Sequence, residues 1–599
     1  MLTRHGLNVD ASYVFRAGGT HTFKGGYAFN RLANDVQNAF NTAWVRIYWG
    51  QDRTSSVITG AGQAFCAPTG ANRTRNRTLY GMDVCQGIYG AYLVGVSTET
   101  TGKVSSFNNS LYVQDTWQVG RGITLNLGVR FDKEYLPSFK PYPNDPLASR
   151  PIDFGFGSKV GPRLGGAWDV FRNGKMKVYG SWGFFYDIMK YEMPRGAFGG
   201  EYWHDCWFTL DTTDLSTINP QRDAGGHSCP GAGGTPGDKI EEIDWRAVAN
   251  DPSDNRIPAD TKPMRQRELV FGAEYALRSD LGLEVRYARK RLDRTIEDTG
   301  YFDALGENYY IGNPGEGILV NPVSGVCPTC PNQPKPMRNY DGVEFKLSKR
   351  WSHNFFFTTS YTYSRLYGNY SGLTSTDEVG RHSPNVNRFF DLPHMAWNAQ
   401  GQQVFGLLPT DRPHTFKFYG AYRLKWWGME STFGLTQVAY SGTPLTTEIG
   451  TIGSLTSSSP VEGRGNFVPL SRDPATGNWI AGGIEKGKRT DAFTNTDFLY
   501  VHEFKLSKTN EALRAAFELN VSNLLNQSNV LSIYFRGPRT GVLTFPITGS
   551  AIPDWAAFFA GFDWVAKANA QSKVMDSRYG TSQYFQVPRS LRMKIKFSF

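Results

Sequence analysis

Six cysteines are the residues whose spacing first suggests chemistry. Cys66 and Cys85 share one long polar stretch, Cys206 and Cys229 a second, and Cys327 and Cys330 a third, with none in a predicted strand. In an oxidising compartment, pairing within each stretch is the economical reading, and each bond would restrict its loop by on the order of 3 kcal/mol. The Cys-Pro-Thr-Cys spacing of 327–330 also fits a redox dithiol, but that needs a βαβ setting, and the surrounding GVCPTCPNQPKP is proline-rich. Zinc would need a second ligand pair nearby.

Other reactive constellations are weak. No GxSxG, HExxH or GxxxxGK[ST] pattern occurs, and the nine histidines show no common ligand spacing. The glycine clusters at 231–237 and 463–465 lack a flanking strand and helix, and Glu241 and Glu242 read as loop-solvating carboxylates. No EF-type calcium spacing appears. The reading is therefore a non-enzyme with no cofactor and no metal. The net charge is +10, from 64 basic and 54 acidic residues, yet the basic residues are spread among aromatic strands without a run, which argues against nucleic acid.

The elements that must position these residues are strands. Aromatic residues make up 14% of the 599, with 65 glycines and 32 prolines, while mean hydropathy is −0.42. That combination excludes disorder and points to alternating strands and turns. No apolar run approaches the length of a membrane helix; the best candidate, IPDWAAFFAGF (552–562), reads as a loop or interfacial segment. Period-2 alternation is clearest in ITLNLGVRF (123–131), where Ile123, Leu125, Leu127, Val129 and Phe131 share one face. It recurs in 175–186, 281–287, 342–347, 353–363, 414–424, 429–440, 514–521 and 591–599.

Connection lengths alternate too. Short turns stand at 17–19, 120–122, 172–174, 278–282, 350–354, 426–428 and 508–511. Between them lie seven long stretches, at about 32–105, 136–157, 188–263, 294–338, 367–411, 442–492 and 531–587, too many for a compact soluble domain. Tight periplasmic turns, long extracellular loops and an apolar outer face describe an antiparallel transmembrane outer-membrane β-barrel, all-β, in the bacterial outer membrane. A soluble propeller would repeat every 40 to 50 residues or so, and no such repeat is visible. Trp117, Tyr135, Trp182, Tyr186, Tyr361, Tyr363 and Trp427 fall near predicted strand ends, as an interfacial girdle would. Asp115 alone looks misplaced, on the face of Leu111, Val113 and Trp117. On the opposite, lumen-facing side, Arg130, Arg286, Lys346, Arg423, Lys594 and Lys596 could line a path for an anionic or peptide ligand; solvation of a wet lumen is the plainer role.

Seven turns join fourteen strands, and the C-terminal segment makes fifteen. Single-chain bacterial barrels have even counts, so fifteen predicts that residues 1–599 form one barrel domain that is incomplete at its N-terminus. MLTRHGLNVDASYVF also lacks the pattern of a secretory signal. Trp44–Gly50 (WVRIYWG) could add a sixteenth strand and would favour a stand-alone passive porin.

The motifs resemble Oar-like TonB-dependent outer-membrane receptors. They are NNSLYVQDTWQVGRGITLNLGVRFD (108–132), GPRLGGAWDV (161–170), NYDGVEFKLSKRWSHNFFFTTSYTYSR (339–365), DRPHTFKFYGAYRL (411–424), SGTPLT (441–446), FELNVSNLLNQSNV (517–530) and PRSLRMKIKFSF (588–599), in this order over about 490 residues. The resemblance implies the last fifteen strands of a barrel of about 22. Plug, TonB box and N-terminal regulatory-like domain would lie outside this stretch, and contact with the TonB complex would be made only through them. It further implies uptake of a large, unidentified ligand, with a barrel that only displays adhesion loops as a further alternative. Leu591, Met593, Ile595, Phe597 and the terminal Phe599 resemble the signal read by the outer-membrane assembly machinery. Lipid and lipopolysaccharide are the expected surroundings.

Overall fold

The computed structural model describes residues 2–39, 44–50, 53–58, 74–79, 82–97, 99–137, 151–189, 203–218, 229, 236–244, 257–303, 306–370, 396–397, 401–403, 405–408, 410–427, 429–444, 470–472, 478–481, 489–507, 509–510, 512–533, 555–561 and 580–599, with scattered single positions between them. Fifteen long strands dominate: β1 Leu2–Arg16, β2 Thr20–Ala39, β3 Glu99–Gly120, β4 Ile123–Leu136, β5 Val160–Asp169, β6 Met176–Tyr186, β7 Arg265–Arg278 and β8 Leu281–Arg294 form the first part. β9 Arg338–Ser352, β10 Phe355–Gly368, β11 His414–Trp426, β12 Met429–Tyr440, β13 Phe493–Lys505, β14 Arg514–Ser522 and β15 Ser590–Ser598 complete it.

Each strand pairs antiparallel with the next in sequence, from β1–β2 to β14–β15, as one meander. β1 and β15 are its edges, and no pairing joins them among the described residues. All seven short turns fall where the spacing predicts. At the β3–β4 turn Gly120, Arg121 and Gly122 all take positive φ, and a Cβ on Gly122 would meet the Asp169 carbonyl oxygen at 2.4 Å, so only glycine fits there.

Register fixes the two faces. Val9, Tyr27, Leu111 and Phe131 are successive cross-strand partners, as are Leu127, Leu164, Trp182 and Leu269. The last strands continue the pattern with Phe433, Tyr500, Leu519 and Met593. Most of these large apolar side chains are exposed, Met593 to 67%. The other face carries Arg, Lys, Glu, Asn and Ser. A sheet with apolar side chains outward and polar ones inward is stable where lipid covers the first face, because every backbone N–H and C=O is already paired within the sheet. About ten residues cross a bilayer, so the 20 and 22 residues of β2 and β3 carry this hairpin well beyond the membrane.

On the polar face, two tyrosines lie across glycines. Tyr112 of β3 lies across Gly26 of β2 and donates to Asp10 of β1. Tyr179 of β6 likewise crosses Gly272 of β7, donating to Glu284 of β8 at 2.6 Å. Each missing side chain is the slot the ring occupies, and each hydroxyl ties three strands together.

Several expectations need correction. Trp44–Trp49 is a strand, but it pairs with Gly90–Ser97 in a separate four-stranded sheet that continues to Trp203–Leu210 and Lys239–Asp244, so the long-strand count stays at fifteen. The long connections thus contain ordered structure: they also hold the hairpin Glu297–Asp303/Gly306–Gly312. Within the stretch read as a loop or interfacial segment, the described residues 555–561 are ordered and packed inward. Trp555–Ala560 is a short helix whose Trp555, Phe558 and Phe559 are buried, with Trp555 against Phe302 (ring centroids 4.9 Å) and Phe559 against Trp397 (4.9 Å). Trp182 in the interior of β6 and Tyr361 in the middle of β10 stand on the apolar face and not at strand ends. Asp115 has a partner that register alone supplies: β2 places His21 beside it, with Nδ1 to Oδ2 2.7 Å, stacked against Trp117 and Phe15 close to the turns.

Candidate functional site

The polar face holds the six predicted basic residues, and four of them are neutralised locally. Arg130 Nε lies 2.9 Å from Asp132 and its Nη2 donates to Ser110 Oγ at 2.6 Å. Arg286 pairs with Glu344 at 3.0 Å, Lys346 with Glu284 at 3.4 Å and Arg423 with Glu430 at 2.6 Å. Cross-strand neighbours on one face sit close enough for such pairing by default. Lys594 and Lys596, on β15, face Glu518 and Ala516 and are exposed. A ladder of compensated charges gives a wet wall rather than a strongly cationic one.

The second part of the site is the cap formed by the long connections. Sequence alternation leaves it hidden because its strands are short and pair over large separations. Gly90–Ser97 is central, between Trp44–Trp49 and Trp203–Leu210. One side packs Tyr92, Val94, Cys206, Phe208, Leu210, Ile218 and Cys229; the other packs Tyr48, Ala91, Leu93, Trp207 and Ile240. A third cluster, Leu136, Ile152, Phe154, Ile257, Ile296 and Ile311, sits where β4 and β8 leave the wall.

The structure joins Cys206 to Cys229 inside the first of these clusters. Cys206 lies in a strand of the cap, contrary to the expectation that no cysteine would, and Cys85 likewise lies within Met82–Gln86. Cys66 falls outside the described residues. Cys327 is bonded to Cys330, with Asn321 Nδ2 donating to both of their carbonyl oxygens at 3.2 and 3.3 Å. This segment follows an antiparallel hairpin and a 3₁₀ turn, not the βαβ unit a thioredoxin-like dithiol requires. Glu241 and Glu242 lie in the strand Lys239–Asp244.

Ion pairs and hydrogen bonds tie together the bases of the long connections at the rim of the wall. Lys159 and Glu134, each 2% exposed, pair directly; Lys159 also donates to the Asp187 carbonyl at 2.9 Å, and Glu134 accepts from Met189 N–H at 2.8 Å. Arg489 reaches Asp411 at 2.6 Å and the Gly442 carbonyl at 3.0 Å, while Arg412 donates to Ser441 O at 2.8 Å. Residues 411–412 and 441–442 therefore anchor loops at the rim. Glu316 bridges Lys262 and Lys335, each at 3.1 Å. Burial pushes its carboxyl up, but the two ammonium donors outweigh this and hold it below the ordinary range.

No cluster of three or more potential metal ligands occurs among the described residues. A fifteen-strand antiparallel meander, apolar outside and polar within, with loops gathered at one end, defines an outer-membrane β-barrel protein. The family model for the outer membrane beta barrel domain matches residues 8–540, and the chain belongs to that family. It resides in the bacterial outer membrane, as the strand pattern predicts. Among curated relatives it is 27% identical over 451 residues to the TonB-dependent transporter Oar of Myxococcus xanthus, an alignment covering 74% of this chain and 38% of that protein. The chain thus spans well under half the length of that relative. Solved structures similar to it include the outer membrane transporter YddB from Escherichia coli (11% identity, TM-score 0.46, 90% of this chain and 52% of that one). The ferric-catecholate import receptor Fiu from K12 E. coli is another (12% identity, TM-score 0.39, 89% and 52%).

Proposed function

We propose that residues 1–599 supply the C-terminal wall and ligand-capturing cap of a TonB-dependent transporter that takes up a ligand too large for porins. The observation carrying this reading is the joint presence of a charge-compensated polar face and a folded cap packed around its own apolar cluster and the Cys206–Cys229 bond, on a chain whose named relative is a TonB-dependent transporter. A porin needs an open, wet passage; a receptor needs a preformed extracellular surface, and rigid loops reduce the entropy lost on capture. The sixteenth strand that favoured the porin belongs to the cap. Energy coupling is assigned to a plug-type domain and its TonB contact, which are not among the described elements. Assembly would use β15, whose Leu591, Met593, Ile595 and Phe597 are exposed on the apolar face, followed by Phe599 at 97% exposure.

The test is electrical and genetic. Full-length protein in a planar bilayer is expected to show no spontaneous conductance, whereas steady open steps would support the porin. In the host, deleting this gene or the energy-coupling partner should leave the same compounds unconsumed in the medium. Consumption that continues without the partner would overturn the transport reading.

A further inference from the structure

Register gathers five arginines onto one patch of the apolar face. Across β7, β8, β9 and β10, Phe271, Tyr287, Val343 and Tyr363 are successive cross-strand partners near the loop end of the wall. The next row on the same face, two residues nearer the loops, is Leu269, Arg289, Asp341 and Arg365; the row beyond is Arg267, Arg291, Asn339 and Tyr367. Arg265 lies further out and shares Asp293 with Arg267, at 2.9 and 2.6 Å. Five guanidinium groups thus face two carboxylates.

The five are not equally engaged. Arg291 is tied down by Asp341 at 2.5 Å and by the carbonyls of Lys290 and Tyr340 at 2.8 and 2.9 Å. Arg267 and Arg289 are 53% and 52% exposed, and Arg289 stands 3.8 Å from Asp341, a loose contact. Arg365 lies over the Tyr367 ring at 4.6 Å. At the corresponding level of β12 and β13, the apolar face carries Gln437, Thr496, Ala439 and Thr494, with no charge. The arginine patch is therefore a property of one sector of the wall.

We propose that this sector is a binding site for the phosphorylated headgroup of an outer-leaflet lipid, a lipopolysaccharide, with Arg267, Arg289 and Arg365 contacting the phosphates. Phe271, Val343 and Tyr363, directly below, are the surface for its acyl chains. The juxtaposition selects the ligand: dense negative charge must lie immediately above hydrocarbon that runs along the strands. A soluble anion has no use for the aromatic row, and guanidinium forks match phosphate oxygens bidentately. The proposal rests on outer-membrane residence and not on the transport reading.

The experiment measures lipopolysaccharide binding to full-length protein in mild detergent. Wild type is expected to bind it at least tenfold more tightly than its dephosphorylated form, with millimolar inorganic phosphate failing to displace it. Replacing Arg267, Arg289 and Arg365 together by Gln should weaken binding at least tenfold. The pair Arg31→Gln and Lys133→Gln, on the same face of other strands, should change it less than twofold. Equal binding of phosphorylated and dephosphorylated forms, displacement by phosphate, or an unaffected triple variant would each overturn the proposal. If the triple Gln variant fails to fold, the triple Arg→Lys variant keeps the charge and loses the fork; weaker binding is then the expected result and wild-type binding the contrary one.

Discussion

The wall and the cap solve the same problem with opposite polarity. In the wall Leu127, Leu164 and Phe271 point outward and are exposed, the buried cluster that includes Leu136 sits only at the loop end of β4, and polar groups fill the other face. In the cap Tyr92, Phe208 and Leu210 are turned inward and closed by Cys206–Cys229. Lipid is the wall's hydrophobic partner, so its sheet needs no second layer. The cap stands in water and must bury its own apolar side chains, which takes ordinary packing and covalent staples.

The largest expected contrast comes from one substitution made in both regions. Phe208→Ala should destabilise the cap by about 3–5 kcal/mol, since a packed ring leaves a cavity, whereas Phe271→Ala in detergent should cost a fraction of that. Denaturant unfolding followed by protease cleavage of the cap measures both; equal losses would erase the distinction. Next, Leu127→Arg should cost about 2–4 kcal/mol in a bilayer if its position is near the midplane, and little in the reverse setting of the polar face, for example Asn126→Arg. Folding yield into vesicles across a urea series reads that difference. Gly272→Val should be smaller, about 1–3 kcal/mol, because its Cβ would meet the Val285 carbonyl at 2.7 Å and displace the Tyr179 ring. A thermal shift in the Gly272→Val variant that Tyr179→Phe reproduces would trace the cost to the hydroxyl bridge instead.

Acid gives the finest comparison. Glu316 in the cap and Asp280 in a turn of the wall both have depressed folded-state values, so each contributes stability above its ordinary carboxyl range and loses it as pH falls through the folded value. For Asp280, held by the Ser352 hydroxyl and Lys349, that value is about 2. Hydrogen exchange should therefore show the 278–281 turn keeping its protection until the pH approaches 2. The contacts of Glu316 with Lys262 and Lys335 should weaken at acid pH but not at neutrality. Loss of protection at pH 5 in either place would contradict these assignments.

Much of the wall was legible because its signals are local. Pleating forces alternate side chains to opposite faces, so ITLNLGVRF declared its apolar side, and residues of the GRG turn declared a reversal through the positive φ they adopt. The polar-face position of Arg130, Arg286, Lys346 and Arg423 followed from the same period. Three of their carboxylate partners did not, because Glu344, Glu284 and Glu430 stand on the neighbouring strand, where register sets the pairing, whereas Asp132 lies two residues along the same strand as Arg130. The cap was least legible: WVRIYWG reads equally as a wall strand, and only its pairing with residues some 45 positions later makes it a cap strand. The buried face of Trp555–Ala560 was masked likewise, since Pro553 and Asp554 beside an apolar run resemble a loop until Phe302 and Trp397 cover it.

The sequence by itself determined the long wall strands, their faces and their turns, since period-2 patterning and turn chemistry act over a few residues. Tertiary structure alone decided which distant segments meet: the cap sheet, the Asp115–His21 pair and the arginine rows across β7–β10. Those depend on register between strands, and a shift of one residue would turn each of them to the opposite face.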